Sequence, residues 1–314
     1  MTVVARGVKR EKVSWKKDFK TNGAMYLLAI PTLLYFIIFH YIPMAGILIA
    51  FQDYRISRGI WGSEWVGFEN FVDLFTGETF PIVMRNTLAM GFMNVIIGFV
   101  MPILFAILLS ELPSKKYKRF SQVVSYMPHF VAAVVVSQLV REFVSANGAV
   151  TGLLSLFGLQ KQNWLANPDV PVFWFINTFT NVWQEIGYDS ILYVAVIATV
   201  SQDYHEAAAI DGANRFQRLL HITLPSIKHV IVMMLIMKVG LVLTTGFDKI
   251  LLLYMPSTYD TADVLSTYTY RMAFSGRPNY GLSTASGLFQ SVMSILMLLT
   301  TNFISKKVSG TGLI

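Results

Sequence analysis

The sequence predicts an all-α protein that crosses a lipid bilayer six times. Three observations carry this. The 314 residues are 54% hydrophobic and only 14% charged, with a mean hydropathy of +0.54, whereas soluble domains carry roughly 25% charged residues. Six apolar runs can be marked, at about 24–51, 84–112, 123–144, 172–200, 230–254 and 282–304, each longer than the ~20 residues that cross a hydrocarbon core. Lipid offers the backbone no hydrogen-bond partners, so these runs must be helices.

The basic residues sort by connection. Sixteen lie in the N-terminal tail, the second-to-third and fourth-to-fifth connections and the C-terminal tail, and eight lie in the opposite connections and nearby span ends. The positive-inside rule then puts both termini in the cytoplasm. The expected layout is a basic tail at 1–23, a membrane domain at 24–304 with a cytoplasmic loop at 201–229, and a second tail at 305–314. The run at 24–51 is too long for a cleaved leader's apolar core and reads as an uncleaved anchor. The net charge of +7 sits in short loops beside apolar runs, which argues for topology rather than nucleic acid. The chain has no cysteine, so disulfides and thiolate chemistry are excluded and a structural zinc site is not expected. The five histidines show no metal-ligand spacing, and nothing suggests nucleophilic catalysis.

The first outer connection is the longest. Phe68, Phe71, Val72 and Phe75 fall at helical spacing, with Glu69, Asn70 and Asp73 between them. This predicts a short amphipathic helix in the outer interface, preceded by Trp61 and Trp65 of an aromatic belt. The third-to-fourth and fifth-to-sixth connections are too short for separate domains and suit a docking rim. Pro31, Pro43, Gly46, Gly98, Pro102 and Pro128 fall inside the apolar runs as potential kinks.

Residues 206–225, EAAAIDGANRFQRLLHITLP, form a polar island between the fourth and fifth runs. Helix formers lead to Asp211-Gly212, a stop and restart. Glycine permits positive φ, and Asp211 is expected to cap the next helix. Ala213, Phe216 and Leu220 then line one face of a second short helix, closed by Pro225. The alanines make a surface that another backbone can approach.

Intramembrane ionisable groups are functional candidates. Glu185 and Asp189 lie in the fourth run and Lys238 in the fifth, at depths that allow Lys238 to pair with either carboxylate, as a structural ion pair or a gate. Aromatic and multiply hydrogen-bonding side chains suit a sugar. Trp183, Gln184, Tyr188 and Tyr193 are candidates, with Asn181, Thr244, Thr245, Asp248 and Gln138 adding polar groups; Gln184, Tyr188 and Thr245 lead.

The island resembles the signature of type I ABC importer permeases, EAA---G---------I-LP, at Glu206, Ala207, Ala208, Gly212, Ile222, Leu224 and Pro225. WVGFENFVDLF at 65–75 is similar to a segment of maltose-type carbohydrate permeases. Residues 246–274 and 280–307 resemble the polysaccharide and complex-oligosaccharide branch. The resemblance implies a six-helix type I ABC importer permease fold and a transport subunit without its own ATPase site. The island would be a coupling helix seated in a cytoplasmic ATPase. Glu206 would meet polar groups there, Ala207, Ala208 and Ala213 would allow close approach, Asp211 and Gly212 would form the bend, and Phe216 would anchor it to the permease body. ATP and Mg would reside on that partner, since this chain has no G-x-x-x-x-G-K-[ST] loop. A second permease, most readily a heterodimeric one, and an extracytoplasmic solute-binding protein would complete a sugar importer in a bacterial cytoplasmic membrane. The alternatives are an ion-coupled secondary carrier, a membrane scaffold, or an importer of another polar solute.

Overall fold

The computed structural model describes residues 15–169, 172–244, 246–274, 276–310 and 312–313. The chain divides into two compact units, residues 1–48 and 49–314. The first is dominated by helix α1, Trp15–Phe36, which kinks at Asn22. Its helical path widens into a π turn at Ile37–Tyr41. Pro43 follows two residues later. A proline lacks the N–H for its i−4 carbonyl and its ring crowds that carbonyl; a wider turn just upstream relieves both. The device recurs before Pro225, where a π turn spans Leu219–Thr223.

The second unit starts with a two-residue antiparallel ladder, β1 (Gln52–Asp53) against β2 (Glu64–Trp65), around the single turn α2 (Gly59–Gly62). Helix α3, Glu69–Thr76, follows. One residue of its polar face turns inward. Asn70 is buried and donates to the Ala50 and Gln52 carbonyls at 3.0 and 3.1 Å. Leu74 is buried beside it, while Phe68, Val72 and Phe75 are exposed. The loop carbonyls need a donor more than the bundle needs another phenylalanine, and outward aromatics cost nothing in a lipid interface.

The helical body comprises α4 (Thr79–Ser110), α5 (Lys115–Tyr126), α6 (Ala133–Phe143), α7 (Ala149–Leu156), α8 (Val172–Ile197), α9 (Gln202–Ile210), α10 (Arg215–Arg218), α11 (Leu224–Gly240), α12 (Phe247–Leu253), α13 (Tyr259–Ala262), α14 (Leu265–Phe274) and α15 (Tyr280–Ser309). Helices α4 and α8 pack together along their lengths. One apolar cluster joins Met90, Phe173, Ile250 and Leu253, and another joins Ile103, Ala106, Ile107 and Tyr193.

Among the described residues, four helical stretches are long and apolar enough to span a bilayer, 18–51, 79–110, 215–240 and 280–308. Counting the bent pair 115–130 and 133–143 as one span makes five. The expected six is not reached on these criteria. Helix α8 has the length, at 26 residues, but its polar face lowers its hydropathy.

Two expected spans are broken. The third bends by 98° between Phe130 and Ala133. Pro128 sits in a 3-10 turn there, and Val131 and Ala132 are extended, with ψ of 127° and 142°. The fifth stops at Gly240 and resumes at Phe247, across Gly246 at φ +85°. That backbone region is open to glycine and costly for other residues.

Candidate functional site

Two places concentrate the polar chemistry, an exposed elbow and an internal cavity.

The elbow is the island at 206–225. Ser201 caps α9 by accepting from the Asp203 N–H. The helix ends in paired bonds, Ala213 N–H to the Ala208 carbonyl at 2.8 Å and Gly212 N–H to the Ala209 carbonyl at 3.1 Å. This is a Schellman ending, and it requires a left-handed residue. Gly212 supplies it at φ +82°. The cap of the next helix is Asn214 and not Asp211: Asn214 accepts from the Gln217 N–H, and the Gln217 side chain accepts from the Asn214 N–H. Asp211 is instead the C-cap residue that follows α9, too far upstream to reach the new N–H groups. The second helix is not a short closed one either. It runs from Arg215 to Gly240, passing Pro225 through the π turn.

Glu206, Ala207, Asp211 and Gly212 are exposed, and Ala208 and Ala213 are half-buried. Phe216 is 66% exposed, so within this chain it anchors nothing. Leu219, three residues on, is the side chain that packs into the Ile103–Tyr193 cluster. With Tyr204 and Ile210, Phe216 leaves an apolar set uncovered on the elbow. A groove of about 530 Å³ runs beside it, lined by Tyr204, Ala207, Ala208 and Pro225 among others.

The cavity, of about 300 Å³, lies between α4, α8, α11 and α12. Four α8 residues, Asn177, Asn181, Glu185 and Asp189, recur every fourth position and so share one helix face; the last three line the cavity. Asp189 Oδ2 accepts from Lys238 Nζ at 3.2 Å. Of the two carboxylates offered to Lys238 by sequence, it takes the deeper register of the ladder. Glu185 has other partners: His129 Nδ1 lies 2.6 Å from Oε2, and Lys249 Nζ lies 4.0 Å from Oε1. Lys249 also donates to Asn181 Oδ1 at 2.6 Å. The two lysines flank the break in the fifth run, and α8 holds both sides of it.

Thr244 and Asp248 line this cavity too. The remaining sugar candidates do not. Gln184 is buried and donates to the Val131 carbonyl at 3.0 Å, at the bend of the third run. Tyr188 stacks on His129 with ring centres 3.7 Å apart. Trp183 is half-exposed on another face. Gln138 donates to Glu142 on an exposed surface. Tyr193 is buried in an apolar cluster. Thr245 lies outside the described residues. Gln184 and Tyr188 thus serve the bend, because helical rotation carries them about 100° per residue away from the ladder.

Sequence reasoning missed His129, Lys249, Asn94 and Phe247. Lys249 was read as an outer basic residue, yet it lies inside the fifth apolar run. The four-residue ladder on α8 was the available signal. His129 carried none, since its partners are 56 and 59 positions away.

The bend tightens around Gly187. A Cβ there would fall inside the Ser125 carbonyl, so α5 and α8 touch through backbone. Gly187→Leu is expected to destabilise the protein by at least ~3 kcal/mol, the upper end of overpacking costs, because backbone cannot rotate away. Thermal unfolding in detergent measures it, and a wild-type midpoint would refute the close approach.

A membrane-embedded polar cavity joined to an exposed, capped elbow defines the membrane subunit of a transport system. The chain belongs to the binding-protein-dependent transport system inner membrane component family, whose model matches residues 98–310. Protein LplB of Bacillus subtilis (strain 168) is 39% identical over 96% of this chain and 94% of its own. The polygalacturonan/rhamnogalacturonan transport system permease protein YteP of the same organism is 38% identical over 92% and 89%. The fold is shared with a solved bacterial ABC transporter involved in import of the acidic polysaccharide alginate, at TM-score 0.86 and 38% identity over 94% of this chain and 99% of that one. A second structure of an alginate ABC transporter, bound to a periplasmic protein carrying alginate pentasaccharide, matches at the same TM-score.

Proposed function

We propose that this chain is the permease subunit through which an ATP-driven importer brings an oligosaccharide into a bacterial cell, and that the oligosaccharide carries acidic sugars. The observation that carries the reading is the elbow: a rigidly capped bend that leaves Tyr204, Ile210 and Phe216 bare. Bare apolar surface beside a groove suits a protein partner. An ATPase dimer seated there supplies ATP and Mg chemistry that this chain does not contain, and Glu206, Ala207, Ala208, Asp211, Gly212, Ala213 and Phe216 face it from the cytoplasm, with both termini on the same side. Helix α8 crosses the membrane by turning its polar ladder inward, which completes a six-span set. A second permease closes the pathway, and a solute-binding protein delivers the sugar. The relatives named for polygalacturonan and alginate transport support an acidic saccharide, and Asn181, Thr244, Asp248, Glu185, Asp189 and Lys238 supply the polar pathway.

Purification in mild detergent, with identification of the accompanying chains, tests this. An ATPase and a second permease are expected, and their reconstitution with the binding protein should give ATP-dependent sugar uptake. A lone chain that moves sugar down an ion gradient would overturn the proposal in favour of a secondary carrier.

A further inference from the structure

The two lysines of the cavity are held differently. Lys238 meets a carboxylate directly, Asp189 at 3.2 Å, and the pair neutralises itself. The close partner of Lys249 is the neutral amide of Asn181, at 2.6 Å. Glu185 stands 4.0 Å from Lys249, while its other oxygen is taken by His129 at 2.6 Å. Asp248 precedes Lys249 on α12 and lines the same cavity, but adjacent side chains on a helix diverge by about 100° and Asp248 makes no direct contact with the ammonium.

An ammonium carries three N–H donors, and Asn181 uses one. The Lys249 side chain is only 13% exposed, and it lines the cavity. A cation this enclosed, hydrogen-bonded to a neutral amide and paired with Glu185 only at 4.0 Å, is incompletely compensated, and a carboxylate at hydrogen-bond distance lowers its desolvation cost further. Around it the wall offers what a sugar ring needs. Asn94 and Thr244 provide hydrogen-bonding groups and Phe247 an aromatic ring.

We propose that Lys249 reads a carboxylate on the oligosaccharide as it passes through the membrane. This rests on the acidic-oligosaccharide reading above. The incoming carboxylate completes the site with a charge-assisted hydrogen bond, and Asn181 fixes the ammonium that offers it. A neutral sugar of the same shape leaves the ammonium with only Asn181 and the more distant Glu185, and rejection of an isostere is steep where a buried polar group loses a hydrogen-bond partner. Lys238 is spent on Asp189 and contributes stability rather than selection.

The test uses the complete reconstituted transporter with its binding protein. The probes are trigalacturonate and its carboxyl-reduced trisaccharide, each supplied at a concentration that saturates the binding protein. Wild type should move the charged sugar in preference. Lys249→Gln should lower the charged-to-neutral uptake ratio at least ten-fold, and Lys249→Arg should restore it. A ratio unchanged in Lys249→Gln, or both sugars falling together, would overturn the role of Lys249 while leaving the importer reading intact. A wild type that moves only the neutral sugar, or neither, would overturn the acidic substrate and this role with it. Recovery of each variant with its partner ATPase separates misfolding from lost selection, and a Lys249→Gln that fails to assemble while Lys249→Arg assembles and loses the preference also counts against the proposal.

Discussion

Lys238→Met is expected to cost about 2 kcal/mol of stability, and Lys238→Met combined with Asp189→Asn appreciably less. Removing one partner of a buried pair usually costs about 3–5 kcal/mol, since a charge is left without compensation. The figure here is lower because about a third of each side chain still reaches the cavity, 30% for Lys238 and 34% for Asp189. The double change removes the stranded charge along with the pair. Thermal unfolding of the two variants in one detergent compares them directly, and equal loss in both would show that the 3.2 Å contact carries no coupling. The pair has a mechanical side as well. It ties α11, before the break in the fifth apolar run, to α8, and Lys249 ties α12, after the break, through Asn181 and Glu185. The single variant therefore frees one half of the break and not the other.

Gly212→Pro is expected to reduce ATP-dependent uptake at least ten-fold while the complex continues to hydrolyse ATP. Proline fixes φ near about −65°, and the elbow needs +82°. The substitution also deletes the N–H that closes α9 on the Ala209 carbonyl. The damage should stay local, because no atom lies within 4 Å of a Cβ built at Gly212 and the helices on either side keep their own caps. Gly212→Ala keeps the N–H and pays only the left-handed penalty, about 1–2 kcal/mol, so an intermediate loss is expected. Uptake and hydrolysis measured on the same proteoliposomes decide it; unaltered coupling in Gly212→Pro would remove the elbow from the mechanism.

Much of this elbow was legible in sequence. A glycine after a run of helix formers, followed by a polar residue three positions before Gln217, is a local pattern, and helix ends are local structures. The assignment to Asp211 failed for an equally local reason. The Schellman ending consumes 211–213, and the cap of the new helix falls one step later, at Asn214. The burial of Asn70 on α3 had a different source. Phe68, Val72 and Phe75 show a clean apolar face, but the decisive groups were the Ala50 and Gln52 carbonyls, which only tertiary contact brings to Asn70.

The breaks in the third and fifth apolar runs fall between these cases. Pro128 marked the first in sequence, yet its 98° angle depends on α8, where Gly187 admits the Ser125 backbone and Gln184 holds the Val131 carbonyl. For the fifth span, Gly246 marked a place where the chain can turn, and the polar partners on α8 determined what happens on either side.

The sequence by itself determined that this chain is a multi-pass membrane protein with one capped elbow between two greasy stretches, because hydropathy, charge and helix-end chemistry act within a few residues. Only the tertiary structure decided that Lys238 meets Asp189, that Glu185 stands between His129 and Lys249, and that Phe216 faces outward while Leu219 packs. Ion pairs inside a low-dielectric bundle form between side chains dozens of positions apart, and a few ångströms of helix rotation and register, set by packing, choose among partners that hydropathy cannot tell apart.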